Sequence, residues 1–265
     1  MWTQMKARLG RIMPGGVKRL LRRSRAAAIR RRNRGREAGE IFTEIYQHNR
    51  WGGEQGAFHS GSGSTAEHAD RYARAVSAFL RERNLQRVAD LGCGDFRVGS
   101  QLVAEGFDYT GIDVVESLIA SHRARHGGEH VRFERLDITR DALPEADVCL
   151  IRQVLQHLSN QQIAQVLHNT RGYRYVIVTE HFPAAHALRS RNQDKPCGED
   201  VRIYDGSGVF LDAPPFNRPV SRVLLEVPSG DYLMHEGEYI RTFVLENETP
   251  QAATQSARAA DAAGF

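Results

Sequence analysis

The sequence predicts an α/β protein built on a mostly parallel sheet, and three observations predict it. Short apolar runs closed by a carboxylate recur through the middle of the chain. The first of them is followed at once by a glycine-spaced turn. Two more apolar runs stand near the C-terminal end, separated by turn-forming residues. With 265 residues and a hydrophobic share of 41%, the chain is long and apolar enough for one large domain with a sizeable core.

The first run and its turn are Val88-Ala89-Asp90-Leu91-Gly92-Cys93-Gly94-Asp95, which reads as strand, tight turn and helix start. Glycine at 92 and 94 allows positive φ and lets a ligand approach bare backbone. The turn stands at the carboxyl end of a strand, where open α/β sheets bind ligands. A dinucleotide fingerprint would carry a third glycine where Arg97 stands, so a dinucleotide is not the expected ligand. The second run, residues 108–113, ends in Asp113, 23 residues after Asp90. That is close to the roughly 20 expected between a glycine turn and a ribose-binding acid, so Asp113 is expected to grip ribose hydroxyls. The third run, residues 131–138, alternates apolar and polar side chains and ends in Asp137 with Ile138 beside it. A fourth, 147–151, leads into Arg152-Gln153-Val154-Leu155-Gln156-His157-Leu158, and a fifth spans 173–179.

An acidic residue followed by Gly-x-Gly, with these acids in register behind it, resembles the class I S-adenosylmethionine-dependent methyltransferases. The resemblance covers residues 41–246 and is nearest to a bacterial subgroup sharing a tryptophan/Ser-Gly loop and the Gln-His-Leu and Asp-Lys-Pro strings. It implies a Rossmann-like methyltransferase three-layer sandwich, with a mostly parallel seven-stranded sheet that ends in an antiparallel strand pair, here residues 221–227 and 238–246. It implies S-adenosyl-L-methionine as cofactor, bound around Asp90, Gly92, Gly94 and Asp113. Asp137 would meet the adenine amino group, Ile138 would pack on the ring, and Gln153 would lie beside the methionine end. No metal is called for.

Charge is unevenly placed. Residues 1–36 hold 13 lysines and arginines and no acid, which leaves 23 bases against 32 acids in the remainder. The body is acidic and the basic pI belongs to a leader, read here as residues 1–40 and flexible, since like-charge runs stay disordered. Met13, Val17, Leu20, Leu21 and Ala28 lie at helical spacing among the arginines, a pattern that suits the surface of an anionic membrane. No run is apolar enough for a transmembrane span or a secretory core. Three scattered cysteines favour reduced thiols in a cytoplasm over a disulfide framework or a zinc site. The expected location is cytoplasmic, with peripheral contact to the inner membrane face.

Residues 41–64 carry Trp51, then Ser60-Gly61-Ser62-Gly63-Ser64. Ser64 and Glu67 form a capping box for a helix whose core face is Ala69, Tyr72, Ala73, Val76, Phe79 and Leu80. Such a loop is positioned, and Trp51 with the Ser-Gly segment is expected to line the site. After the fifth run comes an insert, residues 181–220, too long for a plain connection and rich in polar and ring-bearing groups, so the acceptor pocket is expected there. The tail, 247–265, is polar, alanine-rich and expected to be disordered. Asp212-Ala-Pro-Pro-Phe216 and Pro196-Cys197 resemble motifs of amino-group and cytosine-C5 methylases but stand at the wrong places.

The expected reaction is O-methylation of a small-molecule or saccharide hydroxyl. Histidine suits proton removal there because its pKa lies near neutrality. His157 follows the fourth run and His181 the fifth, and His181 is favoured because it opens the insert. Nucleic acid is a weaker expectation for partner than a small molecule or glycan. Two competing readings are an RNA methyltransferase that binds phosphates through the arginine-rich arm, and a non-catalytic binding module that keeps the sheet and does not bind S-adenosylmethionine.

Overall fold

The computed structural model describes residues 15–52, 58–60, 66–229 and 236–248. The elements are α1 (Gly15–Asn33), α2 (Ala38–Gln47), α3 (Ala66–Glu82), β1 (Arg87–Leu91), α4 (Arg97–Ala104), β2 (Asp108–Asp113), α5 (Glu116–His126), β3 (Val131–Arg135), β4 (Val148–Arg152), α6 (Asn160–Asn169), β5 (Tyr175–Phe182), β6 (Arg222–Pro228) and β7 (Tyr239–Glu246). The seven strands form one sheet in the order β3-β2-β1-β4-β5-β7-β6. The first five pair in parallel, and β7 runs antiparallel to both β5 and β6. The order reverses between β1 and β4, and at such a switch point the carboxyl ends of the strands open a crevice.

Strand alternation divides the core in two. Val88, Val148, Leu150, Tyr175 and Ile177 face one side, where Tyr72, Val76, Phe79 and Leu80 of α3 cover them. Ala89, Leu91, Cys149, Ile151, Val176 and Val178 face the other, against Ile41 and Ile45 of α2 and Ile163 and Val166 of α6. Because both faces are covered, the central strands read in the sequence as nearly unbroken apolar runs. The core face expected for α3 is buried at every one of its six positions. The capping box expected before it lies outside the described residues.

Two expectations differ from the structure. The fifth strand begins at Tyr175 and runs on to Phe182, because antiparallel pairing with β7 continues to Phe182 and Tyr239. His181 therefore lies inside β5, not beyond its end. The basic leader, read as flexible, is a helix from Gly15 to Asn33, with Ala26 and Ile29 buried. The acidic partners that hold it are far away in sequence. Arg30 Nε lies 2.8 Å from Asp200 Oδ2, Arg32 Nη2 lies 2.7 Å from Glu199 Oε1, and Asn33 Nδ2 donates to the Cys197 carbonyl. No described helix is long and apolar enough to cross a membrane.

Candidate cofactor and acceptor site

The glycine turn takes the shape its residues require. Gly92 has φ +81° and Gly94 has φ +52°. Both the Gly92 and Cys93 amides donate to the Ile112 carbonyl, at 2.7 and 2.9 Å, which pins the turn to the end of β2. A Cβ at Gly92 would run into the Val154 side chain, and one at Gly94 would run into Ser60. Ser60 is close for a reason: its Oγ accepts from the Asp95 amide at 2.7 Å, and its own amide donates to Asp95 Oδ2 at 3.2 Å. The Tyr46 hydroxyl of α2 lies 3.1 Å from the same Oγ. The chain before β1 is thus tied down over the turn.

Above the crevice these pieces enclose one cavity. Its lining includes Asp90, Gly92, Gly94, Asp113, Asp137, Ile138, Gln153 and His157, so eight of the nine expected site residues come together there. Trp51 and Ser60 line it as well, as expected; positions 61–64 of the Ser-Gly segment lie outside the described residues. His181 is not among the described lining residues. It faces the buried Glu238 instead, with Nε2 3.4 Å from Glu238 Oε2.

The acids differ in their surroundings. Asp90 accepts from the Tyr109 hydroxyl at 2.6 Å, yet burial pushes its pKa up to about 6. Asp113 accepts from the Val115 amide at 3.1 Å and the Gly94 amide at 3.3 Å, and burial likewise raises it to about 6. Asp137 lies two residues past β3 and holds Thr139 through its amide and hydroxyl, at 3.0 and 2.7 Å. Gln153 sits at φ +55°, its amide donating to the Thr179 carbonyl at 2.7 Å. Backbone strain of this kind in a non-glycine residue concentrates where ligands bind.

Several residues of the site have no local signal. Glu180, fully buried near the end of β5, accepts from the Leu155 amide at 2.9 Å and so clamps the turn after β4. Burial lifts its carboxyl to about 8. His157 closes that turn and is wrapped by the insert. Its Nδ1 lies 3.1 Å from the Gly198 carbonyl, and its own carbonyl accepts from the Gly198 amide and from the buried Lys195 Nζ, at 3.0 and 3.2 Å. A carbonyl only accepts, so Nδ1 carries the proton and Nε2 keeps its lone pair. Burial, with Lys195 nearby, drives the His157 pKa down to about 4, and the ring is neutral at physiological pH. Trp51 lies 5.5 Å from it and Phe42 6.3 Å, ring centre to centre. Cys93, Cys149 and Cys197 are all free and buried, and burial raises the Cys197 thiol to about 11, which leaves it a poor nucleophile. Asp212 to Phe216 belong to a loop held by Asn192, whose Nδ2 donates to the Phe210 and Pro214 carbonyls, both at 2.8 Å.

A family model described as "Methyltransferase domain" matches residues 89–173, from the first strand to just before the fifth. A ubiquinone biosynthesis O-methyltransferase of Rickettsia felis is 29% identical over 130 residues, which is 46% of this chain and 51% of that protein. The chain thus spans about half the length of that curated relative. Among solved structures, magnesium protoporphyrin IX methyltransferase from Synechocystis PCC 6803, with bound SAM, superposes with TM-score 0.51 and 16% identity over 82% of this chain and 100% of that one. The 1,6-didemethyltoxoflavin-N1-methyltransferase of Burkholderia thailandensis gives TM-score 0.51 and 16% identity over 79% and 87%. At such identity the structural likeness is one of fold. The sheet order is that of the methyltransferase structures it superposes on, and the family match marks residues 89–173 as a methyltransferase domain.

Proposed function

We propose that the protein transfers the methyl group of S-adenosylmethionine to a hydroxyl of a small molecule. The observation that carries this reading is the cavity, in which the glycine turn and its acids meet a wall of Phe42, Trp51 and His157. With its pKa lowered to about 4, His157 is suited to accept a hydrogen bond from the acceptor hydroxyl through Nε2 and orient it, not to act as a strong base. The cofactor supplies an already activated methyl group. What remains for the chain is to hold the acceptor oxygen in line with the methyl group. In this reading Asp113 takes the ribose hydroxyls, Asp137 and Ile138 the adenine, and Asp90, the Gly92–Gly94 backbone and Gln153 the methionyl part. Bare backbone at Gly92 and Gly94 in the cavity lining, with buried carboxylates around it, suits a cationic nucleoside ligand.

The wall formed by Phe42, Trp51 and His157 favours a flat, apolar acceptor over a saccharide, since such faces offer stacking area and few hydrogen bonds. A relative named for ubiquinone biosynthesis and structural neighbours named for a porphyrin and a toxoflavin precursor agree with that choice. The RNA reading loses ground because Arg30 and Arg32 of the leader are already committed to Asp200 and Glu199. Radiolabelled methyl transfer to panels of phenols, polyols, oligosaccharides and RNA tests the proposal. Transfer to phenols is expected; transfer confined to RNA or to nitrogen acceptors would overturn it.

A further inference from the structure

Trp51 and His157 stand 5.5 Å apart in the cavity wall and come from distant parts of the chain, yet both are tied to two adjacent residues of the insert, Gly198 and Glu199. Gly198 grips His157 twice. Its carbonyl lies 3.1 Å from Nδ1 of the ring, and its amide donates to the His157 carbonyl at 3.0 Å. Glu199 reaches the support of the other ring. Its Oε1 accepts from Arg50 Nη1 at 3.4 Å and from Arg32 Nη2 of α1 at 2.7 Å, and its Oε2 accepts from Asn33 Nδ2 at 3.4 Å. Arg50 also pairs with Glu44 of α2, and its amide donates to the Ile45 carbonyl at 3.0 Å, so it is held between α2 and the insert. Trp51 follows it directly and packs on Phe42 and Tyr46 of α2, at 6.0 and 5.4 Å between ring centres.

Two guanidinium groups, from Arg32 and Arg50, converge on one carboxylate oxygen. Without that carboxylate they repel, and Arg50 is left to Glu44 alone. The cofactor side of the cavity is held differently: Asp90, Asp113 and the glycine turn make their hydrogen bonds with Tyr109, Val115, Ile112 and Ser60, outside the insert and the leader. We infer that Glu199 is a positioning residue for the acceptor. Through Arg50 it fixes Trp51 beside His157, and through Arg32 it makes the leader helix α1 part of the acceptor wall. The link to the acceptor rests on the hydroxyl-methylation reading above, whereas the fixing of Trp51 is independent of it.

The chain has two tryptophans, so the full-length Trp2→Phe protein reports on Trp51 alone. In that background Glu199→Ala should shift the emission to the red and steepen its quenching by acrylamide by about twofold or more, while calorimetric affinity for S-adenosylmethionine stays within about threefold. Glu199→Gln, which keeps the shape without the charge, should fall between the two. Arg50→Met should reproduce the quenching, and adding Glu199→Ala to it should change little more, because both act on one contact. With a phenol acceptor, Glu199→Ala should raise the acceptor KM about tenfold with a smaller change in kcat. Unchanged quenching in Glu199→Ala and Arg50→Met, or quenching and cofactor affinity altered in step, would overturn the assignment. If Glu199→Ala does not fold, Glu199→Gln and Arg50→Met decide. A wild type that transfers no methyl group to phenols refutes the proposed function, an outcome distinct from unchanged quenching of Trp51.

Discussion

Two acids and two histidines show how environment divides residues of one type. Asp113 and Asp137 stand near the ends of neighbouring strands; Asp137 is spent partly on Thr139, while burial lifts Asp113 to about pKa 6. Its carboxylate form accepts hydroxyl donors, so cofactor affinity should fall as pH drops through about 6, and calorimetry between pH 5 and 8 measures this. Asp113→Ala should weaken binding by roughly 1.5 to 3 kcal/mol at neutral pH and remove most of that dependence. Of the histidines, His157 lines the cavity and His181 faces Glu238. His157→Ala is expected to lower single-turnover methyl transfer about 100-fold while cofactor affinity stays within a few fold. His181→Ala leaves Glu238 buried beside an empty space, and its main expected effect is a lower melting temperature. Equal losses of transfer in the two variants would reject the separation. Glu180 gives a further test. Its folded pKa of about 8 is raised above the usual 4.5, so its contribution to stability is complete below about 4.5 and is lost as pH rises through 8. Glu180→Gln should flatten the stability profile over that window, read by denaturant titration.

At the scale of elements, the parts of the site are held by pieces distant in sequence. Ser60 seals the glycine turn, and Gly94→Ala would force apart both a positive-φ turn and that contact. A cost of about 1 to 3 kcal/mol is expected, with weaker cofactor binding. The insert holds His157 through a buried chain: Arg30 to Asp200, Asp200 to Lys195 at 3.4 Å, and Lys195 to the His157 carbonyl. Asp200→Ala strands the Lys195 charge in the interior. Breaking such a pair costs about 3 to 5 kcal/mol, and chemical denaturation should show a loss in that range. A loss below about 1 kcal/mol would mean that the chain contributes little.

Over the whole molecule, the basic leader is docked onto the insert. One face of α1 is packed on the insert. The other displays Leu20 and Leu21, 66% and 53% exposed, among arginines. Deleting residues 1–36 is therefore expected to lower stability, because Ala26, Ile29 and Arg30 leave with it. Leu20→Ser with Leu21→Ser should spare stability and reduce sedimentation with anionic phospholipid vesicles, more so at low salt. Unchanged vesicle binding in the double variant would remove the membrane from consideration.

The sequence by itself determined the sheet, its glycine turn, the acids at the strand ends and the core face of α3, and its resemblance to a known family supplied the cofactor. Those features are periodic or local: side chains alternate along a strand, glycine is required where φ is positive, and parallel strands deliver their last residues to one edge. Tertiary structure alone decided that His157, not His181, faces the cavity, because pairing with β7 draws His181 into the sheet. It alone docked the leader, since Arg30 meets acids 170 and 175 positions away. And it set the ionisation of Asp113, Glu180 and His157, because burial comes from neighbours contributed by the whole chain and leaves no mark on the residues beside them.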